Sequence, residues 1–532
     1  MTGIGFSSRR SGVMARHGMV ATSQPLAAMA GLRALLRGGT AADAAVTTAA
    51  MLNVVEPMST GIGGDCFALI YQAGSGRVAA LNGSGRAPKA FTLAEARRLH
   101  LDAIPLTGPL PVTVPGTVSG WSALLERFGR MSLAECLAPA IAAAEEGFPV
   151  SERISIGWRN AAAKLSMDPE AARVYLPAPH PGQIHCQPDL AGTLRTIAEG
   201  GADAFYHGPL AEQIAERIEA LGGYLTAADL AAHESTWERP LESSYRDVRV
   251  LEHPPNGQGL AALLALNIVE SDNWSNTAYF DPRRWHTMIE AMRLGMADAA
   301  RYVADPAVAP APLAALLSKE YAAARRSMIR PDAAVEVAVA GTPEHRDTVY
   351  LTVVDAEGNA VSLINSLYYG FGSGLVVPGT GICLQNRGAC FSLEPGHPNA
   401  LDGGKRPYHT IIPAMAMREG RLWLSFGVMG GFMQPQGHLQ VIANMVDYGL
   451  DPQAALDAPR FRVDEKGSRQ VFIESAVPAR TRAQILAAGH DLTVEPTFSP
   501  GFGGGQVIAI DPETRVLWGG SDPRKDGCAI GF

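Results

Sequence analysis

The segment Arg346-Asp347-Thr348, running on into Val349-Tyr350-Leu351-Thr352-Val353-Val354, constrains the fold more than any other part of the chain. β-Branched and aromatic residues dominate this run and the one after it, Ala360 to Ser366. Asp355-Ala356-Glu357-Gly358-Asn359 supplies turn chemistry between them. The pattern predicts an antiparallel hairpin centred on Glu357. In that register Val354 faces Ala360 and Ser366 faces Thr348, with the last pair's Cβ atoms about 5 Å apart. A hydroxyl at a strand start, a second hydroxyl opposite it and the glycine-rich run Gly370-Phe371-Gly372-Ser373-Gly374 together suggest a nucleophile. Threonine and serine are also ordinary strand residues, so the hairpin alone leaves a purely structural role open. The glycine-rich run is no nucleotide loop, because it lacks GxGxxG spacing and a strand-turn-helix setting.

Strand patterns occur at both ends of the chain around a helical middle. Pro25 to Arg37 reads as an amphipathic helix ended by Gly38-Gly39. Thr40 with Asp43 reads as the capped start of an alanine-rich helix reaching about Asn53. Phe67 to Tyr71 and Val78 to Asn82 read as buried strands joined by Gly74-Ser75-Gly76. From Gly120 to about Val335 the pattern is mainly helical, with helices over Leu133–Glu146, Asp189–Glu199, Ala211–Leu221, Ala261–Glu270 and Trp285–Tyr302. Beyond the hairpin, Leu422–Phe426, Val471–Ile473 and Gln506–Ile510 read as strands, and His438–Tyr448 and Thr481–Ala488 as helices. Neither a low-complexity linker nor an internal repeat divides the chain, so one intertwined unit is expected.

With 532 residues, 47% of them hydrophobic and 18% charged, the chain can bury a large core. A net charge of −8, spread along the sequence, argues against nucleic acid or an anionic membrane as partner. Met1 to Gly18 holds Arg9, Arg10 and Arg16 but no apolar run of signal-peptide length, and no other run would span a bilayer. A cytoplasmic location is therefore expected. Six cysteines show no CxxC pair and no metal-ligand spacing with histidine, and HExxH is missing. Neither disulfides, a metal nor any other cofactor is expected.

Further motifs lie along nearly the whole chain. They include Gly18-Met19-Val20-Ala21, Gly38-Gly39-Thr40-Ala41-Ala42-Asp43-Ala44-Ala45, Glu56-Pro57, Gly61-Ile62-Gly63-Gly64 and Val114-Pro115-Gly116-Thr117-Val118-Ser119-Gly120. Pro254-Pro255-Asn256-Gly257-Gln258-Gly259, Lys405-Arg406-Pro407, Gly430-Gly431 and Ser521-Asp522-Pro523-Arg524 follow. In content and order these resemble the γ-glutamyltransferase family of N-terminal-nucleophile hydrolases. The resemblance implies a four-layer αββα sandwich of the α/β class, built from both halves of the chain. It also implies a precursor that cuts itself at Asp347–Thr348. Residues 1–347 would form a large chain and 348–532 a small one, held together as a heterodimer. Residues 335–347 would then be a surface loop exposing that bond.

Cleavage would unmask the α-amine of Thr348, whose ordinary pKa of about 7.7–8.0 suits a general base near neutral pH. By the resemblance, Ser366 stands where relatives carry a helper threonine. Gly430 and Gly431 match the family's oxyanion position, where glycine allows close approach of backbone N–H groups. Many relatives are exported, which this chain's N-terminus does not favour.

The pocket departs from the family pattern. Ser84 holds the position of the carboxylate-binding arginine, with Arg86 two residues on and, if strand continues, on the same face. Tyr368 replaces an asparagine, Arg387 a glutamine, and Cys390 the ammonium-binding aspartate. His409-Thr410 replace paired serines, and the lid insertion between Phe391 and Lys405 is short. Such a pocket loses its acid and gains a guanidinium and a phenol. It favours a small amide bearing a carboxylate but no α-amino group. Oxamate, cleaved to oxalate and ammonia, fits best. A true γ-glutamyltransferase or glutathione hydrolase, a glutaryl-type acylase and a non-catalytic binding protein are the alternatives. Arg387 could instead pair with Glu394, His409 could be a satisfied wall histidine, and Cys390 lacks the neighbours of a cysteine nucleophile.

Overall fold

The computed structural model describes residues 10–335, 348–464 and 468–532. Two seven-stranded antiparallel sheets lie face to face. In one, the strands run in the order Cys528–Gly531, Met19–Thr22, Val349–Val354, Ala360–Ser366, Asp65–Gln72, Arg77–Gly83 and Thr236–Glu238. In the other the order is Val13–Ala15, Leu517–Ser521, Gly504–Ile510, Arg421–Met429, Ala414–Arg418, Val248–Glu252 and Leu241–Tyr245. Each sheet takes strands from both sides of Thr348, so neither half of the sequence could close its sheet alone.

Fully buried strands explain why the hairpin is so apolar: every residue of Val349–Val354 and Ala360–Ser366 is buried. Met19, Leu69, Leu251, Met415 and Ile508 fill the space between the sheets, and Phe67, Tyr350, Ile364, Ile411 and Met429 form a second inter-sheet cluster. Burial of each such side chain is worth about 1.5–3 kcal/mol. Outside the first sheet pack the helices Pro25–Leu36, Ala41–Val55 and Thr117–Phe128. Outside the second pack Gly259–Val269, Pro282–Tyr302 and Met433–Tyr448. The result is the four-layer αββα sandwich.

The hairpin register is the expected one, from Val349 opposite Asn365 to Val354 opposite Ala360. Asp355 accepts from the Glu357 and Asn359 N–H groups at 3.0 and 2.9 Å, which closes the turn. The capping box of Thr40 and Asp43 is also in place, on a helix that runs to Val55. The middle of the chain is mainly helical as expected, and it also supplies Leu241–Tyr245 and Val248–Glu252, which form one edge of the second sheet. The expected strand at Val471–Ile473 is present, in a small three-stranded sheet with Phe461–Val463 and Asp491–Glu495. One expectation needs correction. The strand holding Asn82 ends at Gly83, so no β-alternation carries Ser84 to Arg86. The expected loop at 336–347, with Asp347, lies outside the described residues.

Candidate active site

Thr348 lies immediately before the central strand Val349–Val354 and is 1% exposed. Its Oγ1 is 3.1 Å from Ser366 Oγ, the contact that the hairpin register predicts. Ser366 Oγ also accepts from the Tyr368 N–H at 2.9 Å and, at a long 3.5 Å, from Arg387 Nη2. Arg387 sits in a single 3-10 turn, Arg387–Cys390, and is fully buried. Its Nη1 donates to Thr410 Oγ1 at 2.8 Å, and its guanidinium lies 4.1 Å from the Tyr368 ring centroid. Tyr368 holds this stacked position at φ +81°, a conformation that non-glycine residues seldom adopt.

Among the described residues no carboxylate is within ion-pair distance of Arg387, and Glu394 does not pair with it. Its Nε is buried without a hydrogen-bond acceptor. A buried cation in this condition is costly unless an anion joins it. A guanidinium in this state can receive a carboxylate through its planar fork of donors.

Gly430 and Gly431 bridge the strand Arg421–Met429 and the helix Met433–Tyr448 with φ of +125° and +59°. Glycine alone takes both angles without strain. Their carbonyls accept from Met433 N–H at 3.0 Å and Gln434 N–H at 3.2 Å. Neither glycine's N–H donates to another described residue. This turn can offer N–H groups to a developing negative charge.

His409 does not join the threonine. Its Nε2 donates to Asp65 Oδ2 at 2.9 Å, its Nδ1 faces the Ile411 N–H at 3.4 Å, and its ring tilts against Phe67. Burial, with Arg387 nearby, holds its pKa well below the usual histidine range, so it is a neutral wall residue. Arg86 is also corrected: it reaches Asp305 at 3.2 Å and the Gly404 carbonyl at 3.3 Å, with its side chain 35% exposed. Cys390 is half-buried with Sγ 3.9 Å from Arg387 Nη1. Thr410 is fully buried and meets Arg387 through its hydroxyl.

Two residues escaped the sequence reading. Asp65 directly follows Gly61-Ile62-Gly63-Gly64 and stands opposite Ser366 in the next strand pair. It accepts from the Gly85 N–H at 2.9 Å, Gln385 Nε2 at 3.1 Å and His409. Burial pushes its carboxyl up to about 6, against the lowering pull of Arg387 and these donors. Gln258, within the Pro254–Gly259 motif, donates to the Thr410 carbonyl at 2.6 Å and the Gly431 carbonyl at 2.9 Å. The motifs containing both residues were visible, but glycines and prolines dominated them and no signal pointed to these side chains. No group of three or more His, Cys, Asp or Glu among the described residues is placed to hold a metal ion. None of the described helices is long and apolar enough to cross a membrane.

The four-layer αββα sandwich is the fold of the N-terminal-nucleophile hydrolases. Residues 27–532 match the family model for gamma-glutamyltranspeptidase, and the chain belongs to that family. It is 38% identical to a glutathione hydrolase-like proenzyme of Bacillus subtilis, over 97% of this chain and 98% of the relative. It is 36% identical to the oxamate amidohydrolase proenzyme of Klebsiella pneumoniae, over 97% and 98%. The crystal structure of a cephalosporin acylase from Bacillus halodurans superposes with a TM-score of 0.93 at 45% identity, covering 99% of this chain and 98% of that one. The chain is a hydrolase-family enzyme acting on amides.

Proposed function

We propose that this chain is a self-processing N-terminal-threonine amidohydrolase that acts through an acyl-enzyme on a small carboxylate-bearing amide, oxamate first. Processing at Asp347–Thr348 would give chains 1–347 and 348–532, which remain paired because each sheet needs strands from both. The released α-amine then takes the Thr348 hydroxyl proton as Oγ1 attacks the amide carbon. The Gly430–Gly431 N–H groups receive the oxyanion. As the C–N bond breaks, the amine's proton leaves with ammonia. Water then adds to the ester, and the acid departs from Thr348.

The observation that carries the substrate reading is Arg387, buried without a carboxylate and one hydroxyl away from Thr348. The path runs 3.5 Å to Ser366 and 3.1 Å onward to Thr348. A carboxylate needs about 2.8 Å to a guanidinium, and an attacked carbon about 3–3.5 Å to its nucleophile. Those spans accommodate a carboxylate directly bonded to the acyl carbon, as in oxamate, better than one three methylenes away. The acylase likeness supports a glutaryl-type substrate as the second reading.

Ammonia release from oxamate, set beside turnover of glutaryl- and γ-glutamyl-p-nitroanilide with and without glycylglycine, tests the choice. Oxamate turnover exceeding both anilides is the expected result. γ-Glutamyl turnover accelerated by glycylglycine, with oxamate inert, would overturn it in favour of a true transferase.

A further inference from the structure

The Pro254–Gly259 turn lies on neither side of the candidate site, yet it is bonded to both. The His409 N–H donates to the Asn256 carbonyl at 2.8 Å, and the Gln258 N–H donates back to the His409 carbonyl at 3.0 Å. This pairing presents the Gln258 carboxamide, fully buried, to two otherwise separate segments. One Nε2 hydrogen goes to the Thr410 carbonyl at 2.6 Å and the other to the Gly431 carbonyl at 2.9 Å. Oε1 accepts from the Tyr408 hydroxyl at 3.0 Å. Two carbonyls require a nitrogen with two hydrogens, and a hydroxyl donor requires an oxygen. A glutamine side chain meets all three at once.

We propose that Gln258 is a positioning residue that locks the Gly430–Gly431 turn to the Arg387 wall. The inference rests on the roles proposed above for Thr348 and that turn. From Gly431 the linkage runs through Gln258 to Thr410, through the Thr410 hydroxyl to Arg387, and through Ser366 to Thr348. Gly431 sits at a positive φ and lacks a side chain, so little besides its carbonyl bonds fixes its ψ. The Gln434 N–H holds that carbonyl from the helix side at 3.2 Å, and Gln258 holds it from the pocket side. Without Gln258 the turn loses its bond to the pocket and its N–H groups lose their fixed aim. An error of about 1 Å in such a group can cost about 100-fold in rate.

The test compares wild type with Gln258→Met, Gln258→Glu and Tyr408→Phe, each as the processed enzyme. The probe is whichever of oxamate, glutaryl-p-nitroanilide or γ-glutamyl-p-nitroanilide wild type turns over. Gln258→Met is expected to lower kcat roughly 10–100-fold while KM moves less than about threefold, with a fall in Tm from the carbonyls and hydroxyl left unpaired. Gln258→Glu keeps one donor only while protonated, so its kcat should fall on an alkaline limb that wild type lacks. Tyr408→Phe should lower kcat by only a few-fold. Wild-type kcat in Gln258→Met, or a Gln258→Glu profile parallel to wild type, would overturn the proposal. Should Gln258→Met fail to fold, the Gln258→Glu profile decides. A preference for an anilide over oxamate would refute the substrate reading while leaving the Gln258 comparison intact.

Discussion

Arg524 and Arg387 are both fully buried, but their surroundings are opposite in kind. Arg524 donates to both Glu474 oxygens at 2.9 and 2.5 Å, to Asp522 at 3.0 Å, and to the Leu456 and Ala458 carbonyls at 2.8 and 3.1 Å. Arg460 joins the same group through Asp522 at 2.6 Å and the Phe502 carbonyl at 2.9 Å. Asp522 Oδ2 in turn accepts from the Gly505 N–H at 2.8 Å. Every side-chain nitrogen of Arg524 has its acceptor. Arg387 has two hydroxyls, an aromatic face and an idle Nε. The first arrangement is complete without a ligand. Under the function proposed above, a substrate carboxylate completes the second.

Removing an acid from the complete cluster should have the largest effect. Asp522→Ala leaves Arg460 and Arg524 short of a partner and should cost about 3–5 kcal/mol of stability, measured by denaturant or thermal unfolding. Unchanged stability would break the comparison. Arg387→Met should do the reverse: Tm holds or rises, while kcat/KM for the carboxylate-bearing amide falls about 10²–10³-fold. A large loss of Tm with activity retained would show that Arg387 serves the fold after all. Ser366→Ala should be milder, about 10-fold in kcat, because one orienting hydrogen bond is lost and the amine remains. No change in kcat would remove Ser366 from the mechanism.

The smallest effect concerns Asp65. Its carboxyl is raised from the unfolded value of about 4 to about 6, chiefly by burial. A raised acid binds more protons folded than unfolded across that window. Its stabilising contribution is therefore full below about pH 4 and is lost as pH rises through about 6. Asp65→Asn should gain Tm relative to wild type between pH 4 and pH 7. In Arg387→Met the neighbouring cation is gone, so the window should move to higher pH. Parallel Tm-against-pH curves for wild type and Asp65→Asn would contradict this.

The hairpin was legible because its information is local. Turn chemistry at Asp355–Asn359 and two strands of matched length fix the register, and the register fixes Thr348 against Ser366. Thr40 and the long apolar helices were legible for the same reason. Part of what was missed depended on distance in sequence. Leu241–Tyr245 and Val248–Glu252 are five-residue strands that pair with each other, and only Val248–Glu252 joins the distant Ala414–Arg418 that ties them to the sheet. Within a stretch of helices they carry little signal of their own. The reading of Arg86 needed the strand to run past Gly83, where instead the chain turns and Gly85 N–H binds Asp65. The two readings of His409 could not be separated by sequence because its partner, Asp65, is 344 positions away. The grouping of Arg387, Tyr368 and Thr410 was readable because motif positions carry changed residues there. The hydrogen bonds that join them were not.

The central claim is that Thr348 is unmasked by self-cleavage and then acts as nucleophile. Denaturing electrophoresis with N-terminal sequencing of purified wild type and Thr348→Ala tests it most directly. The account predicts two wild-type chains, the smaller beginning Thr-Val-Tyr-Leu, and a single uncut Thr348→Ala chain without amidase activity. An uncut wild-type chain of 56.1 kDa that hydrolyses its amide as fast as Thr348→Ala does would contradict it.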